Sequence, residues 1–193
     1  MLKKQIKMFK APFIVADTEF TAWQGSQERG WSGPGEHREI VQIAAIKVSP
    51  MKVRPGLEEA DAFDVFAKPV INPQLSDYFI NLTHITQEQV DTHGLSLRDA
   101  LARFNEFRDG LPVWSYGRDD EVIAENCELI GIPSLLDPFN DVREVVRRLG
   151  IDPGKYTSGT LHKAVGVEMR GHVHNALHDC RSILAFLRAK RAA

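Results

Sequence analysis

The chain has 193 residues, 43% of them hydrophobic and 26% charged, the make-up of a globular protein long enough to bury a core without disulfide staples. Its formal charge of −2 rules out a global basic field, although an enzyme that reaches phosphates through metal ions gathers carboxylates instead. No stretch approaches the roughly 18 apolar residues of a membrane span, and the start MLKKQIKMFK lacks the apolar centre of a signal peptide, so one cytoplasmic domain over 1–193 is expected.

In chain order, the first element is a strand in PFIVAD (12–17). A Gly-rich polar stretch, GSQERGWSGPGEH (25–37), reads as a mobile loop. EIVQIAAIKV (39–48) and DAFDVFAKPV (61–70) continue the β pattern, giving three successive strands expected to be joined by short turns. Helices follow. In 96–110 Ser96 is an N-cap, Asp99 stands three residues on in capping-box position, Leu97, Leu101, Phe104 and Phe107 share a face, and Gly110 ends the element. A short strand at 111–116, a helix over 119–130, a segment at 140–150, the stretch SGTLHKAVGV and a final helix over 176–191 complete the chain. Cys127 and Cys180 form no CxxC pair and read as buried thiols. The basic residues Lys3, Lys4, Lys7 and Lys10, and Arg188, Lys190 and Arg191, read as solvated tails. Three antiparallel-type strands followed by strands alternating with helices predict an α/β fold, a mixed sheet with its later strands parallel, flanked by helices; the order is the ribonuclease H-like arrangement, one of several that the periodicity alone allows.

Three places carry chemistry. Asp17 and Glu19 lie two residues apart at the end of the first strand and therefore project to one face, where two carboxylates repel unless they share a proton or a divalent cation. A strand-end cap and a solvated loop acid would explain the same two residues. Asp119 and Asp120 open a helix, where capping and the macrodipole suit any acid. Counting by helical offsets puts Asp119 above Val122, Ile123, Cys127 and Ile130, an apolar face, which favours Asp119 over Asp120 as the acid turned toward the sheet; the choice between them stays open. In GHVHNALHDCRSI (171–183), His174 and Asp179 would lie about 140° apart on one helix. They can meet only if His174 sits in the preceding loop and the helix starts near Asn175, as Gly171 and the lack of helical period allow. The histidines His172, His174 and His178 could instead ligate zinc, although the glutamate of an H-E-x-x-H helix is missing.

With Asp17 and Glu19 in DTEFTAW, an acid in SYGRDD, and His174 five residues before Asp179 in HNALHDCRSI, the sequence resembles the DEDDh 3′-to-5′ exonucleases, with a texture similar to the bacterial ERI-type and sporulation-inhibitor-like members. GPGEHREIVQIAAIKV and KPVINPQLSDYFINLTHIT follow in family order. The chain departs from the family at His84, where glycine is usual. The resemblance implies two Mg²⁺ or Mn²⁺ ions held by Asp17, Glu19, Asp119 and Asp179, with His174 as the general base. It implies a substrate that is the 3′ end of single-stranded RNA or DNA, released as nucleoside 5′-monophosphates, and it leaves a homodimer open. Phe20 and Trp23 would either stack on terminal bases or pack in the core, and Phe79, Leu82 and His84 lie in a segment that borders the same pocket in the family. Two other readings stand beside this one: a catalytically silent nucleic-acid or protein-binding module of the same fold, and the zinc protein.

Overall fold

A computed structural model describes residues 9–51, 56–134 and 137–191. Five strands form one mixed sheet in the order β3-β2-β1-β4-β5: β1 (Phe13–Phe20), β2 (Ile40–Pro50), β3 (Leu57–Phe66), β4 (Val113–Ser115) and β5 (Asn140–Asp141). The pairs β1/β2 and β2/β3 are antiparallel, and β1/β4 and β4/β5 are parallel. This is the expected mixed sheet.

The central strand β1 is covered on both faces, which is why it reads as an unbroken apolar run rather than an alternation. Phe13 and Val15 face a core built with α5 (Val142–Arg148) and α6 (Ala176–Arg191). Ile14 and Ala16 face a second core built with α3 (Leu97–Arg108) and α4 (Asp119–Leu129). By the same alternation Asp17 and Glu19 continue the α6 side and Thr18 the α4 side. Each fully buried residue of the size of Ile14 or Phe186 contributes about 2 kcal/mol through area removed from water, and these two cores hold the sheet between its helices.

Two short helices are absent from the sequence reading, α1 (Asp77–Thr83) and α2 (Gln87–His93). Seven residues make two turns, too few for a 3.6-residue period to show. Their caps carry them: the Ser76 hydroxyl accepts from Phe79 N, and Thr86 and Gln89 form a reciprocal capping box. A third difference concerns the connections. β1 and β2 are joined by the long excursion 21–39 rather than a short turn. Hydrogen bonds pin this excursion: Trp31 Nε1 donates to Thr21 O at 2.9 Å, Ser26 Oγ accepts from Trp23 N at 2.8 Å, and Arg29 pairs with Glu36. The C-terminal basic run is part of α6, with Arg188 Nε donating to Leu57 O at 2.9 Å and Arg191 donating to Phe9 O. Lys3, Lys4 and Lys7 lie outside the described residues. Cys127 and Cys180 are buried free thiols, and no described helix is long and apolar enough to cross a membrane.

Glu39, at the end of the excursion, is 2% exposed, and its carboxylate accepts from the backbone N–H groups of Val70, Ile71 and Asn72 at 2.6, 2.8 and 2.5 Å. It fixes the approach to α1. Hydrogen bonds to a charged group are worth about 1.5 to 3 kcal/mol each, and three converge here, so Glu39→Ala should lower unfolding free energy by about 3 kcal/mol. Glu39→Gln, which retains one acceptor oxygen, should cost less. Denaturant titration of both variants reads the difference.

Candidate active site

Four acids from three elements meet at the carboxyl end of β1. Asp17 and Glu19 come from β1, Asp119 from the first turn of α4 and Asp179 from the first turn of α6; they are 5%, 8%, 8% and 2% exposed. Local structure explains each position. β4 runs beside β1 only at Ile14 and Val15, so further along β1 the Thr18 N–H has no strand partner. Asp119 Oδ1 takes its place, accepting from Thr18 N at 3.1 Å and from Thr18 Oγ1 at 2.6 Å. Asp120 is turned elsewhere, pairing with Arg118 and accepting from Phe139 N at 3.3 Å.

On the other side, α6 begins where the sequence places it. Asn175 caps it, its Oδ1 accepting from His178 N at 3.1 Å and its carbonyl from Asp179 N at 2.9 Å. The buried Gln42 of β2 accepts from Ala176 N at 3.0 Å and donates to Asp64 at 2.8 Å, tying the helix start to the sheet. His174 stands before the helix in the left-handed region, at φ 68°. Ligand atoms of Glu19, His174 and Asp179 all lie within 4.8 Å of one another.

Burial raises every one of the four acids. Asp17 and Glu19 are held well above the ordinary carboxylate range, first by desolvation and then by the neighbouring carboxylates. Asp119 is pushed up to about 6 by burial, with the Thr18 hydrogen bonds pulling it part of the way back. Asp179 is pushed up to about 7 by burial, against the opposing pull of its hydrogen bond from Ser158 Oγ, 3.0 Å from Oδ2. Its other oxygen, Oδ1, is buried without a hydrogen-bond partner. Burial lowers His174, and His172 nearby adds to the effect. A buried oxygen that lacks a donor, among acids that burial keeps from ionising, fits a hard divalent cation, which prefers carboxylate oxygen.

Two cavities meet at this cluster. One, about 360 Å³, is lined by the four acids with His174, Ser158 and Tyr156. The other, about 320 Å³, is lined by Phe20, Trp23, Phe79, Leu82 and Tyr78. His84 does not line either. It ends α1 in the left-handed conformation at φ 60° and stacks on His172, ring centroids 3.6 Å apart, above a separate cavity. The zinc arrangement is not assembled: His172 Nε2 lies 2.8 Å from Leu82 O, His178 packs near His162, and the three histidines do not bring their ligand atoms together.

The sequence reading missed Thr18, Ser158 and Gly159. Ser158 and Gly159 belong to a 3₁₀ helix, Ser158–Val165, whose only sequence signal is the pair Thr157 and Thr160 forming its capping box. Gly159 is required by close approach, since a Cβ there would fall 2.4 Å from Asp179 Oδ1.

Comparison with known families settles the relationship. The family described as exonuclease, of the RNase T type, matches residues 14–187. The chain belongs to the exonuclease family. This exonuclease is 26% identical over 213 residues to the 3′-5′ exonuclease Snipper of Drosophila melanogaster, covering 95% of this chain and 71% of that protein. It is also 26% identical over 175 residues to the PolC-type DNA polymerase III of Staphylococcus haemolyticus, where it covers 90% of itself but 11% of the polymerase. Among solved structures, its fold is similar to the nuclease domain of 3′hExo, a DEDDh family member bound to rAMP, with a TM-score of 0.76 and 21% identity over 93% of this chain and 90% of that one. Cell-death related nuclease 4 superposes with a TM-score of 0.73 and 19% identity, covering 93% and 63%.

The raised acids set the sign of a stability effect. A carboxylate whose folded pKa exceeds its unfolded value contributes stability that is fully present below the unfolded value and lost as pH rises through the folded one; for Asp179 the window runs from 3.8 to about 7. In chelator, Asp179→Asn should therefore melt higher than the wild-type exonuclease at about pH 8, with the gap closing toward about pH 4. Mn²⁺ should reverse the order at pH 8 by raising the wild-type melting temperature more than the variant's. Thermal melts of both proteins with and without Mn²⁺ check both statements.

Proposed function

We propose that this exonuclease removes nucleotides from the 3′ end of single-stranded RNA or DNA with the aid of divalent cations. The observation that carries the reading is the convergence of four buried carboxylates, each raised by burial, beside His174, with Asp179 Oδ1 left partnerless, at the mouth of an apolar cavity. Asp17, Glu19, Asp119 and Asp179 are the residues that would hold Mg²⁺ or Mn²⁺. When bound, such ions stabilise the charge that develops on the attacking and leaving oxygens of a phosphodiester.

The chain's own groups supply the rest. His174, its pKa lowered by burial, is neutral at pH 7 and can accept the proton of the attacking water on a ring nitrogen. Thr18 and Ser158 orient Asp119 and Asp179 by hydrogen bonds. Phe20, Trp23 and Leu82 line the cavity next to the acids, where the terminal base can stack without sequence preference. Water attack at phosphorus breaks the bond to the 3′ oxygen, and the fragment that leaves is a nucleoside 5′-monophosphate. Snipper bears the name of a 3′-5′ exonuclease, and E. coli ExoI has been solved with single-stranded DNA at a TM-score of 0.62, which agrees with this direction and substrate.

The test is a 5′-labelled single-stranded RNA and its DNA counterpart incubated with Mg²⁺ or Mn²⁺. Wild type should give a ladder of labelled products shortening from the 3′ end. Asp17→Ala and His174→Ala should each lose activity by about 10²-fold or more. Gly159→Ala should also lose activity, because its methyl group displaces Asp179. Immediate release of the label as a mononucleotide, or intact strands under both metals, would overturn the reading.

A further inference from the structure

The two cavities share a wall. The residues common to both linings are Glu19, Phe20, Gln27, Arg38 and His174. A nucleotide with its base in the apolar cavity and its phosphate over the acids must cross that wall, and Arg38 is its only cation. We propose that Arg38 is a substrate-binding residue that takes a backbone phosphate of the strand at this junction. The inference rests on the nucleic-acid substrate proposed above.

The surroundings of Arg38 fit a ligand-binding role better than a structural one. Its backbone is already fastened without the side chain: Asn126 Nδ2 donates to Arg38 O at 2.6 Å, and Asn126 Oδ1 accepts from Ile40 N at 2.9 Å. The guanidinium pairs with Glu125, whose side chain is 51% exposed, and a pair so open to water contributes less than about 1 kcal/mol to the fold. That pairing orients the group instead. Nε and Nη2 go to Glu125, and Nη1 has no acceptor among the described residues. The plane is further steadied by Trp31, with Cζ 5.5 Å from the ring centroid, and by Phe20 at 6.0 Å.

Arg38 is also chemically free of the acids it borders, since none of the four clustered carboxylates pairs with it. The other arginine lining the acid cavity, Arg118, shares that freedom but is placed differently. It is committed to Asp120 and Glu121 and does not reach the apolar cavity. A guanidinium held in a fixed plane, with a donor to spare, is suited to a phosphate oxygen. The excursion 21–39 thus delivers the one arginine that lines both cavities.

Phosphate contact leaves an electrostatic signature that loss of packing does not. Equilibrium binding of a fluorescent single-stranded oligonucleotide would be measured by anisotropy in Ca²⁺ across a series of salt concentrations, for wild type, Arg38→Ala, Arg38→Lys and Glu125→Gln. Cleavage in Mn²⁺ would be followed separately. Arg38→Ala should weaken binding about tenfold and reduce the slope of log affinity against log salt by about 0.7, the share of one single-strand phosphate. Arg38→Lys should restore the slope, and Glu125→Gln should keep it. An Arg38→Ala slope equal to that of wild type overturns the inference whatever happens to affinity. Normal wild-type binding without Mn²⁺-dependent cleavage would instead overturn the nuclease reading and leave the binding comparison standing. A wild type that does not bind the strand overturns both.

Discussion

Removal of four neighbouring carboxylates from water is the constraint on which the arrangement at the end of β1 depends. Asp17, Glu19, Asp119 and Asp179 are each less than a tenth exposed, and burial holds all four on the protonated side of their ordinary range. A fold selected for stability alone would not gather them, because removing a carboxylate from water costs several kilocalories per mole unless it is neutralised or paired. What hydrogen bonding the protein provides is partial. Thr18 serves one oxygen of Asp119, Ser158 serves one oxygen of Asp179, and the second oxygen of Asp179 is left without a donor.

The backbone makes this concentration of charge possible through a few local departures from regularity. β4 is three residues long, which frees the Thr18 N–H for Asp119. The turn before α6 places His174 in a left-handed conformation so that it can face Asp179 although the two would lie apart on a helix. Gly159 has no side chain where the Asp179 carboxylate presses closest. Glu39 and Gln42, both buried in or beside β2, hold the approach to α1 and the start of α6. The left-handed His174, the partnerless Asp179 Oδ1 and the close approach at Gly159 therefore fall together at one end of one strand.

Much of this was legible in the sequence because two periodicities carry it. The spacing of two between Asp17 and Glu19 put both on one face of β1, and helical offsets favoured Asp119, the acid that reaches Thr18 while Asp120 pairs with Arg118, without closing the choice. The loop before α6 was legible from Gly171 and the missing helical period. What stayed hidden has no period to reveal it. The helices α1 and α2 are seven residues each, the 3₁₀ helix that carries Ser158 and Gly159 is marked by little more than its cap, and the excursion 21–39 reads as Gly-rich loop although Trp31, Ser26 and Arg29 tie it down. His84 was expected at the substrate pocket from the family resemblance; the left-handed end of α1 turns it onto His172 instead.

The central claim is that the four carboxylates form one divalent-cation site. Its most direct test is the anomalous scattering of Mn²⁺ in crystals of the protein soaked with the metal at neutral pH. Anomalous density is expected between Asp17, Glu19, Asp119 and Asp179, the residues that would hold the ion. Density among His172, His174 and His178, or none near Asp17 at saturating Mn²⁺, would contradict it.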